Sequence, residues 1–265
     1  MTSSAATVVD SLETRMRLSK KPIPPHERLI FALDVSSVIE AKKLVEKLGD
    51  NVNFYKLGLE LFMADGYHEM LSWLNERGKK SLVDLKFFDV PNTIKSAIRQ
   101  LSSHRPTFAT VHGNEKMLRA ACDAKNGIKI LAVTVLTSFD DADLKDLGYP
   151  REVDVKMLVL SRARRALDVG CDGIISSGQE AEELRDRLGD SFLIVVPGIR
   201  PFENIEIEED DQKRIVNVEE AFLRGADYIV VGRPIRTAAD PRKAARDIQD
   251  QISDLFVNYR AISQS

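Results

Sequence analysis

The sequence has no basic excess: Lys and Arg number 38 against 41 Asp and Glu, a net charge of −3. A nucleic-acid binder carries a basic surplus or stripe, so any anion site in this chain must be local. Cysteine is scarce. The two present, Cys122 and Cys171, are far apart in sequence and lack a C-x-x-C or His-rich context, which argues against a disulfide framework or a structural zinc site. No apolar run approaches the roughly 20 residues of a membrane span. Residues 1–19 lack the basic start and apolar core of a secretory leader. Together these absences predict a cytoplasmic protein with neither nucleic acid nor membrane as partner. No G-x-G-x-x-G follows the first apolar run, so an open doubly wound sheet lacks its best signature. No motif for PLP or thiamine is evident, so neither is expected as an electron sink.

What is present fits one globular unit. The 265 residues match the size of a single α/β barrel, and 43% hydrophobic with 30% charged residues is ordinary for a protein with a sizeable core. Residues 1–27 are polar and then Pro-rich. They read as a loose N-terminal extension, with one short helix over 8–18 as the alternative. From Arg28 onward, short Val/Ile/Leu-rich runs alternate with amphipathic helical stretches. The runs cover 29–35, 53–57, 81–86, 107–112, 128–136, 172–176, 192–197 and 228–231. Near-continuous apolar segments of this kind suit parallel strands buried on both faces.

Helix boundary signals separate the runs. Ser37 with Glu40, and Ser177 with Glu180, have the spacing of a capping box. Asp240-Pro241 reads as an N-cap followed by the first helical position. Gly170, Gly189 and Gly225 stand where helix stops belong. The segment 170–175 echoes 225–230, each a helix stop leading into a strand. Eight strand–helix units in one chain predict a single α/β domain, a (β/α)8 TIM barrel over 28–258, with an extension over 1–27 and a tail over 259–265.

In such a barrel, catalytic residues lie at the C-terminal ends of strands. Asp34, Lys56, Asp84 and Lys86 all fall in or beside the first three runs. Charges inside apolar strands are costly unless paired. Two acids and two bases at adjacent strand ends are therefore either a structural ion-pair cluster or a catalytic array, and four members at one mouth favour the array. Asp84 and Lys86 are two apart on a strand and so should face the same side. Asp89 follows in the loop before Val90-Pro91, and a helix should begin near Asn92 or Thr93. Gly232 and Arg233 after the eighth run, with Arg200 after the seventh, suit a phosphate site. The stretch 201–216 is long for a strand–helix connection. It reads as a solvated charged loop on composition, or as a lid. Of the histidines, His26, His68 and His104 read as surface residues and His112 as structural. Trp73 reads as core.

The segment Asp84-Leu85-Lys86-Phe87-Phe88-Asp89-Val90-Pro91-Asn92-Thr93 resembles the D-x-K-x-x-D-[IV]-P-N-T signature of the orotidine 5′-monophosphate decarboxylases. Six further segments resemble bacterial members in family order: Phe31-Ala32-Leu33-Asp34, Tyr55-Lys56-Leu57-Gly58, Val133 to Ser138, Pro197 to Pro201, Asp211-Gln212-Lys213-Arg214, and Val231-Gly232-Arg233. The resemblance runs from about Arg28 to the last helix. Phe88 stands where the family often has His, and the loop between Arg200 and Gln212 is longer and more acidic than usual.

The resemblance implies decarboxylation of orotidine 5′-monophosphate to UMP and CO2, the last step of de novo pyrimidine synthesis, with no cofactor and no metal. Lys86 would stabilise the C6 carbanion and protonate it, with Asp84 beside the substrate carboxylate. Lys56 and Asp34 would hold the ribose hydroxyls and orient the array. Thr137 would contact the pyrimidine. Gln212, Gly232 and Arg233 would bind phosphate, assisted by Arg200. Asp89, with Thr93 nearby, would complete the site of a neighbouring subunit in a homodimer. Two alternatives stand beside this reading: a Mg-dependent phosphosugar decarboxylase or aldolase of the same barrel type, and an inactive nucleotide-binding barrel.

Overall fold

A computed structural model of the chain describes residues 17–201 and 214–262. Eight parallel strands pair in sequence order and close on themselves, β1 with β8. They are β1 Leu29–Ala32, β2 Phe54–Gly58, β3 Lys80–Phe87, β4 Phe108–Val111, β5 Lys129–Val133, β6 Gly173–Ile175, β7 Leu193–Val196 and β8 Tyr228–Val231. Each overlaps one of the predicted apolar runs, and the expected TIM barrel is the fold. The helices in chain order are α1 Val38–Leu48, α2 Leu59–Phe62, α3 Tyr67–Glu76, α4 Pro91–Ser102, α5 Glu115–Ala124, α6 Asp141–Asp146, α7 Val155–Asp168, α8 Ala181–Leu188, α9 Val218–Leu223, α10 Arg233–Arg236 and α11 Pro241–Ile262. Among the described residues, no helix is long and apolar enough to cross a membrane.

The strand period divides the core in two. Along β1, Ile30 and Ala32 face a cluster inside the barrel, while Leu29 and Phe31 face the helices. The inner cluster centres on Phe54, Phe108 and Tyr228, whose ring centroids lie 5.1–5.8 Å apart, a normal spacing for interlocked aromatics. All three stand at the first residue of a strand, so this packing closes the N-terminal end of the barrel and leaves the opposite end for a site.

Several expectations need correction. Residues 17–27 are not loose. Ile23 is 9% exposed and packs into the inner cluster. Arg17 N–H donates to Leu223 O at 2.9 Å, Ser19 Oγ bonds Asp227, and Lys21 Nζ lies 3.2 Å from Asp227 Oδ1. The buried Asp227 also takes Arg185 Nη2 at 2.7 Å and Ile194 N–H at 2.9 Å, so its charge is compensated on several sides. A short helix over 8–18 lies largely outside the described residues.

Ser37 caps α1, its side chain accepting Glu40 N–H at 3.2 Å. The matching expectation for Ser177 and Glu180 fails: α8 starts at Ala181, and Ser177 Oγ accepts instead from Gln179 N–H. Glu180 turns inward to a different partner, described below. Helix α4 begins at Pro91, a residue earlier than expected, because proline at the first helical position surrenders an N–H that has no intrahelical partner anyway. Trp73 is only half-buried, with the Arg77 guanidinium 3.8 Å above its ring. His104 is half-buried against His68, whereas His26 and His68 are exposed as expected. Cys122 and Cys171 are free thiols, but their sulfurs lie 3.6 Å apart, a proximity that their separation in sequence conceals.

Candidate active site

At the C-terminal end of the barrel lies a cavity of about 370 Å³. Asp34, Lys56, Asp84, Lys86, Thr137, Arg200, Gly232 and Arg233 all line it. The strand register explains the convergence. Lys56 pairs with Ala32 and Leu82, two residues below the Gly58–Asp84 pair, so its long side chain reaches up from a deeper level to the carboxylates of Asp34 and Asp84.

Lys56 stands between two carboxylates. Its Nζ lies 2.8 Å from Asp34 Oδ1 and 3.6 Å from Asp84 Oδ2. Lys86 Nζ lies 3.0 Å from Asp84 Oδ1. Acid and base alternate as Asp34–Lys56–Asp84–Lys86. Burial by itself would lower the Lys56 pKa, but Asp84 and Asp34 outweigh it and hold the ammonium above its ordinary value. Burial would raise Asp84, yet Lys56 and Lys86, with hydrogen bonds from Lys86 and Thr110, hold it below the usual carboxylate range. The array is therefore fully ionised at neutral pH for these two members. The outer members are more open: the Asp34 side chain is 45% exposed and Lys86 35%, against 14% for Lys56 and Asp84.

Lys86 reaches the cavity by an unusual backbone. Its φ is +48°, in the left-handed region that non-glycine residues rarely occupy. The β3–β4 register slips at the same place: Val83 pairs with Ala109 and Phe87 with Val111. Thus β3 carries a bulge, and bulges next to active sites re-aim side chains. Thr110 repairs the broken ladder. Its Oγ1 accepts the Lys86 N–H at 2.9 Å and donates to Asp84 Oδ1 at 3.0 Å. The sequence reasoning overlooked Thr110. The available signal was a lone hydroxyl at an inward position of an otherwise apolar strand. Gly58 has a similar hidden role. A Cβ there would stand 3.1 Å from Lys56 Nζ and 3.3 Å from Asp34 Oδ1, inside the ion pair.

Pro197, Gly198 and Arg200 after β7, and Gly232, Arg233 and Pro234 after the neighbouring β8, line another part of the cavity. Gly198 has φ +77°, which suits glycine alone without strain. Asp89 and Thr93 do not line the cavity. Both are exposed, and Asp89 accepts the N–H of Val90 at 2.6 Å. Gln212 lies outside the described residues. His112 also stands off the cavity: its Nδ1 is 3.1 Å from Val133 O, and burial lowers its pKa, aided by Arg162 and Lys86. Among the described residues, no group of three or more His, Cys, Asp or Glu side chains is arranged to hold a metal ion.

Comparison with known proteins places this geometry. Residues 27–248 match the profile of the Orotidine 5'-phosphate decarboxylase / HUMPS family. The orotidine 5'-phosphate decarboxylase of Methylococcus capsulatus is 58% identical over 239 residues, covering 90% of this chain and 97% of the relative. That of Xanthomonas oryzae pv. oryzae is 51% identical over 240 residues, covering 89% and 96%. The crystal structure of orotidine 5'-phosphate decarboxylase from Lactobacillus acidophilus superposes with a TM-score of 0.74 at 35% identity, covering 85% of this chain and 99% of that one. The chain belongs to the Orotidine 5'-phosphate decarboxylase / HUMPS family.

Proposed function

We propose that this chain is an orotidine 5′-phosphate decarboxylase, converting orotidine 5′-monophosphate to UMP and CO2. The observation that carries the reading is the alternating Asp34–Lys56–Asp84–Lys86 array at the head of a nucleotide-sized cavity. Family membership and relatives of that name at 58% and 51% identity support it.

The chemistry asks for such an array. Loss of CO2 from C6 leaves a lone pair in the plane of the pyrimidine, where the ring π system delocalises it poorly. A fixed ammonium in a water-poor site stabilises that charge electrostatically. Lys86 supplies it, then delivers a proton to C6, and recovers one from solvent after UMP leaves. Asp84 sits beside the substrate carboxylate and keeps Lys86 charged. Lys56 and Asp34 hold the ribose hydroxyls. Thr137 contacts the pyrimidine. Arg233, Gly232, Arg200 and Gln212 take the phosphate, whose binding energy supports catalysis at a distance from C6.

The functional unit is a homodimer in this reading, with Asp89 and Thr93 reaching the partner's site. Their exposure outside their own cavity supports it, as do exposed Phe88 at 64%, Val90 at 61% and Met63 at 81% near the same end of the barrel. The test is an absorbance assay with orotidine 5′-monophosphate, with and without EDTA. Turnover unchanged by chelator is expected. No turnover of the nucleotide, with Mg2+-dependent and EDTA-sensitive turnover of a phosphosugar acid, would instead favour a phosphosugar-type reaction. UMP binding without turnover would favour an inactive barrel.

A further inference from the structure

We propose that the buried Glu180–Arg214 pair is a positioning device for the phosphate end of the cavity; this rests on the decarboxylase reading above. Neither residue lines the cavity. Glu180 is 4% exposed and Arg214 9%. Arg214 Nη1 donates to Glu180 Oε1, and its Nη2 donates to Leu136 O at 2.8 Å. Ser176 Oγ lies 3.5 Å from the other Glu180 oxygen. One guanidinium thus joins the loop after β6 to the loop after β5, immediately before the cavity residues Thr137 and Ser138.

The chain just past Arg214 engages the third wall. Val216 O accepts Arg200 N–H at 3.0 Å, and Val216 forms a parallel bridge with Ile199. Gly178 permits this approach, because a Cβ there would meet Val216 Cγ2 at 2.4 Å. Arg214 and Val216 therefore tie together the ends of β5, β6 and β7, and two of these ties lead directly to cavity residues: Thr137 for the base and Arg200 for the anion. A buried ion pair is a poor source of stability, since desolvation offsets its attraction and an apolar replacement serves as well. Its value is directional. The planar guanidinium fixes two acceptors at set angles, which a packed methyl group cannot do.

The device acts on the distance between the Thr137 loop and Arg200. A substrate that spans both feels the whole loss, whereas one that lacks phosphate feels only what Thr137 contributes at the base. The experiment compares kcat and KM for orotidine 5′-monophosphate and for orotidine, the same nucleoside without phosphate. It uses the full chain as wild type, Glu180→Gln, and the double variant Glu180→Met with Arg214→Leu. Wild-type turnover of the nucleotide is measured first, and its absence sinks the decarboxylase reading, not the pair alone. With turnover in hand, both variants should lose about 10–100-fold in kcat/KM for the nucleotide, mainly through KM, on the scale of a lost charge-assisted contact. For orotidine the loss should be smaller by about five-fold or more, since only the base contact is disturbed. The apolar double variant keeps the test alive if Glu180→Gln fails to fold. Equal losses on both substrates, or full nucleotide activity in the folded double variant, overturn the proposal and leave Glu180 and Arg214 a purely structural role.

Discussion

Thr110 and Lys86 are joined through the backbone: the Thr110 hydroxyl accepts the Lys86 N–H at 2.9 Å at the point where β3 leaves its regular register. The same hydroxyl donates to Asp84 at 3.0 Å. One side chain thus supports both the strained backbone that presents Lys86 and the carboxylate that pairs with it. Left-handed backbone at a non-glycine residue costs of order 1–3 kcal/mol and persists only where surroundings enforce it.

Thr110→Val preserves shape and removes the hydroxyl. Because Thr110 is fully buried, water does not replace the lost bonds, and each orphaned partner costs about 1–3 kcal/mol. A fall of about 10–100-fold in kcat is expected, with the barrel still folded by circular dichroism. Wild-type kcat in this variant would show that Lys86 holds its position unaided.

Lys86→Ala removes the ammonium on which the proposed chemistry turns. Loss of at least roughly 10³-fold in kcat is expected, since electrostatic stabilisation and proton delivery vanish together. The Lys86 side chain is 35% exposed, and Asp84 retains Lys56, so the melting temperature should move only a few degrees. Near-wild-type turnover would refute the assigned role.

The array also makes a pH prediction. Asp84 is depressed below its ordinary 3.8 by Lys56 and Lys86 against the opposing effect of burial. Its contribution to stability is present above 3.8 and is lost as pH falls through the lower folded value. Lys56 is raised above 10.5 by Asp84 and Asp34, again against burial. Its contribution is present below 10.5 and is lost as pH rises through the higher folded value. The gap in melting temperature between wild type and Asp84→Asn should be level near neutrality and narrow below 3.8. For Lys56→Met the gap should narrow only above 10.5. A gap that changes across neutral pH would mean that other groups dominate.

Ile23→Ala tests the docked N-terminal segment. Ile23 is 9% exposed among barrel-interior side chains, and deleting its buried carbons should cost about 2–4 kcal/mol. At this chain length that is a fall of roughly 5–15 °C in melting temperature. Because Ile23 lies at the end of the barrel away from the cavity, kcat per folded molecule should not change. An unaltered melting temperature would mean that the segment is dispensable.

The periodic elements were legible because their causes are local. Apolar runs such as 228–231, helix stops such as Gly189 and the N-cap at Ser37 depend on neighbours a few residues away. The convergence of Asp34, Lys56, Asp84 and Lys86 was legible as well, since strand ends in a closed parallel barrel must meet. Where local reading failed, a distant partner outweighed the local signal. Glu180 has capping-box spacing with Ser177, yet it pairs with Arg214, 34 residues away in sequence. Residues 17–27 look like a tail, yet Asp227, some 200 residues on, holds Ser19 and Lys21.

By itself, the amino-acid sequence determined the barrel, the order of its strands and which charged side chains reach its mouth, because hydrophobic period and strand length dictate these through short-range physics. Only the tertiary structure decided how Lys86 is aimed, that Thr110 and Gly58 guard the array, and that Arg214 and Val216 together link three strand ends. Those features depend on register and on contacts between segments far apart in the chain, and both are set only once the barrel closes.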